Sequence, residues 1–560
     1  MRTPTDWWKE GVVYQIYPRS FADSNGDGTG DLPGILAHLD HLNDGTPSSL
    51  GVDAVWLSPI YPSPDFDFGY DVADYVGVDP RYGTMADFER LVEACHARGI
   101  RLILDLVLNH SSHEHPWFVS SRSSRTGPHA DWYIWRDSRG RTITGKRRPP
   151  NNWRSFFGGS AWTWDEGRGQ FYMHTFLPQQ PDLNWRNPAT RAALIDVVRT
   201  WLDRGVDGFR LDVVNVYFKD ARLRSNPLRI GRRGWWSWQR HLYDRDQPEL
   251  ADALRELRAV VDARGGRMTV GELFDGSFTE AARLVSANHL IFDWSLIGLP
   301  WKARAFADAI EARDRALGPD RWPANVLSNH DQPRHAGRYE SVPPGDGSVG
   351  DARAKVAAAL LLTLRGTAFL YYGEEIGLRG LDIPNAEAMD PPARHASFLS
   401  PWWNRDQARG PMPWRPGPGG GFTAARPWLP LPPDLDRRNV EAETKDPDSV
   451  LAFYRRLLWV RRETTALHGG AQELVDVGDV DVLAYRRAAE GASALVVLNF
   501  ASRPATVQLP DAAPTGAAAF AASGRRGLWR VALSTHERTS GDALAGPVNL
   551  APLEAIIAYD

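Results

Sequence analysis

Cysteine is nearly missing from this 560-residue chain, and the one present, Cys95, has no partner for an internal disulfide. It falls within an apolar helical pattern, which reads as a buried thiol and sets redox chemistry aside. Long hydrophobic runs are missing as well. Nowhere do about 18 apolar residues follow one another, and the opening MRTPTDWWKEGVVYQIY holds no apolar stretch ending in a small-residue cleavage site. A cytoplasmic protein with no membrane attachment is the expectation. Nor is there a surplus of positive charge: 65 Lys and Arg stand against 69 Asp and Glu, so the formal charge of −4 offers no basic field for nucleic acid.

Aromatic residues, by contrast, are abundant, with 23 Trp, 16 Tyr and 21 Phe. Such rings fill cores, and they also stack on the C–H faces of sugars, so composition alone leaves both uses open. The length exceeds one compact core and calls for a barrel-sized unit with one or two smaller pieces.

Two stretches repeat the order helix, short turn, apolar strand. In the first, Thr84 caps a helix with Asp87 three residues on, and Phe88, Leu91, Val92 and Cys95 follow at helical spacing. Gly99 ends it before the strand RLILDLV at 101–107. In the second, Asn187 and Pro188 open a helix striped by Leu194, Val197, Val198, Trp201 and Leu202, and the strand GFRLDVV at 208–214 follows Gly205. Six further apolar runs, at 12–18, 54–60, 268–274, 290–295, 324–331 and 367–375, bring the strand count to eight.

Eight strand–helix units predict an α/β chain folded as a (β/α)₈, or TIM, barrel, because a parallel sheet needs helices over its outer face. An open doubly wound sheet is the alternative. The barrel is expected from 1–107 and 181–465, interrupted after its third strand by an inserted subdomain at 108–180 that shows no clean period. Residues 377–447 are dense in Pro and Gly, and a segment so long and irregular is more often functional than a linker. Short β-like runs such as ALVVLNF predict an all-β sandwich domain at 466–560.

Polar residues cluster where the strands end: Asn109, His110, Asp212, Glu272, His330 and Asp331. In a barrel these ends share one rim. Acetal hydrolysis needs an acid for the leaving oxygen and a carboxylate on the opposite face of the sugar. Asp212 suits the carboxylate, since Arg210 two residues earlier shares its strand face and favours ionisation. Glu272, after Gly271 at the end of an apolar strand, suits the acid in a drier setting that raises its pKa. Asp331, His330 and His110 supply further hydrogen-bonding groups for sugar hydroxyls.

The segments DLVLNH at 105–110, GFRLDVVN at 208–215, GELF at 271–274 and VLSNHD at 326–331 resemble, in order, the four best-known motifs of the α-amylase family of glycoside hydrolases. QPDLN at 180–184 is similar to the additional motif of its oligo-1,6-glucosidase and α-glucosidase branch. The resemblance runs from about residue 7 to 465. It implies Asp212 as nucleophile, Glu272 as acid/base and Asp331 as transition-state stabiliser, with His110, Arg210 and His330 on the bound glucose. DFGYD resembles the pocket-closing motif, which makes Asp67 a ligand of the terminal glucose and Tyr70 its stacking platform. NRDQARGPMPW at 404–414 resembles a later loop whose arginine pairs with that aspartate; Arg405 is preferred to Arg409. Such a pair leaves no room beyond one glucose and implies exo-action.

In DSNGDGTGD at 23–31, oxygen-bearing Asp23, Asn25, Asp27 and Asp31 alternate, with the Thr29 carbonyl between them, as at the start of a calcium loop. The later bidentate Glu is replaced by Gly34, and an ordinary Gly–Asp turn would look similar. Resemblance to the branch's own loop favours a structural Ca²⁺, with Mg²⁺ as an alternative. The expected partner is a small oligosaccharide, and the expected assembly a monomer or small homo-oligomer.

Two rival functions remain. Glucosyl transfer or isomerisation would use the same intermediate, but the Arg-Leu-Asp-Arg-Asp loop of the resembling sucrose isomerases does not occur, nor does the extra domain of maltose-to-trehalose mutases. A non-catalytic barrel subunit would need an anchor and often lacks the three acids that this chain has.

Overall fold

The computed structural model describes residues 6–229, 236–274, 278–340, 348–394, 403–489, 491–512 and 528–560. Eight parallel strands, β1 (Val12–Ile16), β2 (Ala54–Leu57), β3 (Arg101–Leu106), β4 (Gly208–Leu211), β5 (Met268–Gly271), β6 (Leu290–Asp293), β7 (Ala324–Val326) and β8 (Thr367–Tyr371), pair in sequence order, and β8 returns to β1 to close the barrel. These are the eight runs read from the sequence. Nearly every strand residue is buried, because one face packs inside the barrel and the other under helices.

The helix signals are realised side chain by side chain. Thr84 and Asp87 form a reciprocal capping box on helix Met85–Ala97, whose buried face carries Phe88, Leu91, Val92 and Cys95. Burial pushes the Cys95 thiol up to about 12, which leaves it protonated and inert. Asn187 caps helix Pro188–Asp203, and its stripe of Leu194, Val197, Val198, Trp201 and Leu202 is buried.

The strand ends differ from the reading. GFRLDVV does not run to residue 214: β4 stops at Leu211, Asp212 stands just beyond it, and Val213 turns left-handed at φ 40° before a 3₁₀ turn at Val214–Val216. A β-branched residue there is strained, and such strain gathers where the surroundings hold a functional group in place.

Within 108–180 lies a three-stranded antiparallel sheet, Trp135–Arg136, Gln170–Met173 and Trp162–Asp165. Its strands have two to four residues, too few to print a period. Both ends of this insertion are held by one buried amine: Lys219 Nζ, after β4, donates to Asn109 Oδ1 at its start at 2.9 Å and meets Asp182 Oδ2, just past its end, at 2.7 Å. After helix Val450–Glu463, a six-stranded antiparallel sheet and a two-stranded one (Ala505–Gln508 with Pro547–Leu550) close over an apolar core including Val497, Val507, Trp529, Val548 and Ile556. Among the described residues, no helix is long and apolar enough to cross a membrane.

Candidate active site

The strand ends open into a pocket of about 770 Å³, lined among others by Asp67, Tyr70, His110, Asp212, Glu272, Asp331 and Arg405. Residues separated by hundreds of positions therefore meet on one rim. Arg210 organises its centre. Its Nη1 lies 2.7 Å from Asp105 Oδ1 and 2.6 Å from Asp212 Oδ1, and its Nη2 donates to Glu272 Oε2. Asp105 and Arg210 face each other because β3 and β4 pair in that register.

The sequence reading set Arg210 beside Asp212 and on the bound glucose, and the structure adds Asp105 and Glu272 to its partners. One guanidinium serves three carboxylates and cannot neutralise them all. Burial raises the Asp212 carboxyl well above its ordinary range; Arg210 opposes this, while Glu272, Asp105 and Asp331 add to it. Burial also raises Glu272, again against Arg210 and with Asp331 adding. The cluster therefore retains a proton into a pH range where isolated carboxyls have lost theirs, and that proton belongs to the coupled set. Gly271 lets Glu272 reach this place: a Cβ there would stand 2.8 Å from Ile291 Cδ1 on the neighbouring strand.

Asp331 is the opposite case. Burial alone would raise it, but His330, then Arg405 and Arg409, hold it well below the usual carboxylate range. Arg409 Nη2 is 2.8 Å and Arg405 Nη1 3.3 Å from its Oδ1. His330 receives the Gln15 amide on Nδ1 at 2.8 Å, so Nε2 carries the proton and faces Asp331 Oδ2 at 3.1 Å and the Tyr70 hydroxyl at 2.7 Å. Tyr70 also donates to Asp105 Oδ2 at 3.0 Å, and its ring lies parallel to His330 at 5.4 Å.

At the far end, Arg405 Nη2 pairs with Asp67 Oδ1 at 2.7 Å and with Asp390 Oδ1 at 2.7 Å. Arg409 is turned to Asp331 and the His330 carbonyl instead. Asp67 is buried, and Gln180 Nε2 donates to its second oxygen at 3.1 Å. His110 is held neutral, its pKa lowered to about 4 chiefly by burial. Asn109 Nδ2 reaches its Nδ1 at 3.1 Å, which leaves Nε2–H to donate to the Tyr70 carbonyl at 3.1 Å.

Sequence reading did not single out Gln15, Asp105, Gln180, Asp390 or Lys219. Gln15 and Asp105 did carry a signal, since each interrupts an otherwise apolar buried strand.

In loop 23–31, the side-chain oxygens of Asp23, Asn25 and Asp27 each accept the backbone N–H two residues ahead, at 3.0, 2.9 and 2.8 Å. Asp23 also accepts from Gly26, Gly28 and the Thr423 hydroxyl, which fastens the loop to the segment after residue 420. Asp31 is turned to cap helix Leu32–Ala37 through Gly34 N and to receive Ser24. Among the described residues no three His, Cys, Asp or Glu side chains converge as a metal cluster, so a cation here would draw on Asn25 and on carbonyls such as that of Thr29 beside Asp23 and Asp27.

Residues 15–470 match the alpha amylase catalytic domain family. A probable alpha-glucosidase of Rhizobium meliloti is 42% identical over 524 residues, covering 90% of this chain and 91% of that protein. An oligo-1,6-glucosidase of Parageobacillus thermoglucosidasius is 38% identical, covering 90% and 92%. The fold superposes on a crystal structure of an alpha-glucosyl transfer enzyme with a TM-score of 0.86 at 38% identity, over 100% of both chains. With the barrel, the rim of acids and this likeness over nine-tenths of its length, the chain belongs to the alpha-amylase family of glycoside hydrolases.

Proposed function

We propose that the protein is a retaining exo-acting α-glucosidase that removes glucose from the non-reducing end of short oligosaccharides. The observation that carries this reading is the buried Asp67–Arg405 pair in the wall of the pocket that also holds Asp212 and Glu272, which offers charged hydrogen-bonding partners to a terminal glucose. Asp212 attacks the anomeric carbon while Glu272 protonates the glycosidic oxygen. The resulting β-glucosyl ester is opened by water from which Glu272 takes the proton. One guanidinium gripping both carboxylates suits the short spacing of a retaining pair, about 5–5.5 Å, better than the wider gap that inverting chemistry leaves for water. Asp331, low in pKa and tied to two arginines, stays anionic beside the developing oxocarbenium ion.

For linkage, Val213 favours α-1,6 bonds. It lines the pocket beside the nucleophile and packs with Phe176 and Val216, so the wall next to the leaving sugar is apolar, where threonine would bring a hydroxyl of the same size. For the loop at 23–31, the alternating oxygen side chains support a structural Ca²⁺ held by Asp23, Asn25, Asp27 and the Thr29 carbonyl, with the expected ligand Asp31 left out because it caps helix Leu32–Ala37. Chelation should lower the melting temperature and added calcium restore it, whereas no shift together with no metal by elemental analysis would remove the ion.

The activity is tested by time courses on isomaltose, maltose, sucrose, trehalose and a longer maltodextrin, with the anomer of the first product read by NMR. Glucose released first as the α anomer, one unit at a time, is expected. Initial β-glucose, or cuts inside the maltodextrin, would overturn the proposal.

A further inference from the structure

The inner face of β1 carries Val13 and Gln15, because strand side chains alternate and Val13 packs with Trp56, Ile103 and Phe369 inside the barrel. Gln15 is buried, so it sets a primary amide in an apolar interior, where such a group is costly unless its hydrogens are bonded. One N–H goes to Ser58 Oγ at 3.2 Å and the other to His330 Nδ1 at 2.8 Å.

The His330 ring is buried and held in place by other rings. Tyr70 lies parallel to it at 5.4 Å, Tyr17 nearly so at 6.0 Å, and Trp56 meets it edge-on at 6.1 Å. A ring so fixed can vary only in which nitrogen carries the proton, and in a neutral imidazole that is settled by what each nitrogen faces. With the amide on Nδ1, the N–H stands at Nε2, towards Asp331 Oδ2 at 3.1 Å. With the proton on Nδ1 instead, a lone pair on Nε2 would face that carboxylate. It would also draw the Tyr70 hydroxyl, 2.7 Å away, from its bond to Asp105 Oδ2.

We propose that Gln15 is a positioning residue for glucosyl transfer, which acts through His330 by keeping the ring proton on the nitrogen beside Asp331. Its effect on turnover rests on the α-glucosidase reading; the place of the proton does not. Asp331 lines the pocket, whereas Gln15 sits in the strand ladder behind His330, in register with Trp56 and Tyr371. The amide supplies one directed hydrogen bond, and no bond is made or broken at it.

The test uses the full-length protein and two substitutions. Gln15→Leu removes the donor. Gln15→Glu offers a carboxylate that can only accept, so Nδ1 takes up a second proton while Nε2–H still faces Asp331. On whichever disaccharide the wild type cleaves fastest, Gln15→Leu should lose about tenfold or more in kcat, and Gln15→Glu should keep clearly more of it. A residue that only packs predicts the reverse order, because a buried charge disturbs an apolar interior more than leucine does. Imidazole nitrogen NMR of protein labelled at histidine, with His330→Asn to assign the signals, reads the proton directly. Wild type should show Nε2 protonated and Nδ1 bare, Gln15→Leu a shift of the proton towards Nδ1, and Gln15→Glu both nitrogens protonated. A proton on Nδ1 in the wild type, unchanged turnover in Gln15→Leu, or less turnover in folded Gln15→Glu than in Gln15→Leu would overturn the proposal. A wild type that cleaves none of the disaccharides would strike the α-glucosidase reading, and the nitrogen spectra would still decide whether Gln15 sets the proton.

Discussion

The floor of the pocket and its mouth come from different kinds of chain. The floor stands on strand ends: Asp105 and Arg210 lie within β3 and β4, and Asp212, Glu272 and the His330–Asp331 pair follow closely on β4, β5 and β7. The mouth is made by Phe156 and Phe157 of the insertion and by Trp236, Phe274 and Trp403 of loops. Hydrogen-bonded strands fix a side chain tightly, as charge-transferring groups require. Loops, tied by ring packing and by local bonds such as Phe274 N–H to Asn215 Oδ1, can change shape between related chains without disturbing the chemistry. On the proposed reading, the floor sets what reaction occurs and the mouth which sugar leaves.

The sharpest way to break this division is at the floor. Asp212→Asn should cut kcat by about 10⁴-fold or more for every substrate, because an amide cannot form the glycosyl ester. Turnover close to wild type in the purified variant would remove Asp212 from the nucleophile's role. Glu272→Gln should be selective by leaving group, with loss of about 10²- to 10⁴-fold on disaccharides and far less in forming the intermediate from an activated aryl glucoside. Azide should then attack from the side opposite Asp212 and give the α-glucosyl azide; equal losses on both substrates would contradict the acid/base assignment.

At the mouth the effect should be smaller and should change a ratio rather than a rate. Val213→Thr is expected to raise the maltose-to-isomaltose ratio of kcat/KM by about tenfold, or ~1.4 kcal/mol of differential transition-state stabilisation. A wild type that cleaves maltose and leaves isomaltose untouched would refute the linkage reading and leave the floor intact.

The smallest effect separates two carboxyls within the floor. Glu272 has a raised folded pKa, so the folded state loses stability as pH rises from the ordinary carboxylate value towards that higher one. Glu272→Gln should thus melt higher than wild type above that ordinary value, about 4.3, and alike below it. Asp331 has a depressed pKa, so its contribution is present above the ordinary aspartate value, about 3.9, and is lost as pH falls through the folded one. Asp331→Asn should melt lower at neutral pH, by about 2 °C, with the gap closing in acid. Shifts of the same sign in both variants, followed by calorimetry from pH 3 to 8, would show that the two carboxyls are not set apart as the geometry indicates.

The barrel was legible because each of its strands is a buried apolar run bounded by turn signals, and because Thr84, Asn187 and Gly205 punctuate the helices between them. The acids at the strand ends were legible for the same reason, since a charged residue closing an apolar strand stands out. The sheet at 135–173 was not, because two- to four-residue strands rich in aromatic residues leave no alternation. Nor was the turn at Val213. Valine is a strand former by local preference, and only the contacts beyond Leu211 force it left-handed.

What the sequence by itself determined is the set of local facts: eight strands, their caps, and which carboxylates and histidines end them. It determined them because periodicity and capping act within a few residues. What only the tertiary structure decided is who shares whom. Arg210 divides itself among Asp105, Asp212 and Glu272, Arg405 divides itself between Asp67 and Asp390, and Lys219 pairs with Asp182. Those partnerships depend on strand register and barrel closure, which bring together residues as far apart as 67 and 405. Electrostatic coupling falls steeply with distance, so the protonation of the site is a property of the closed barrel and of no segment within it.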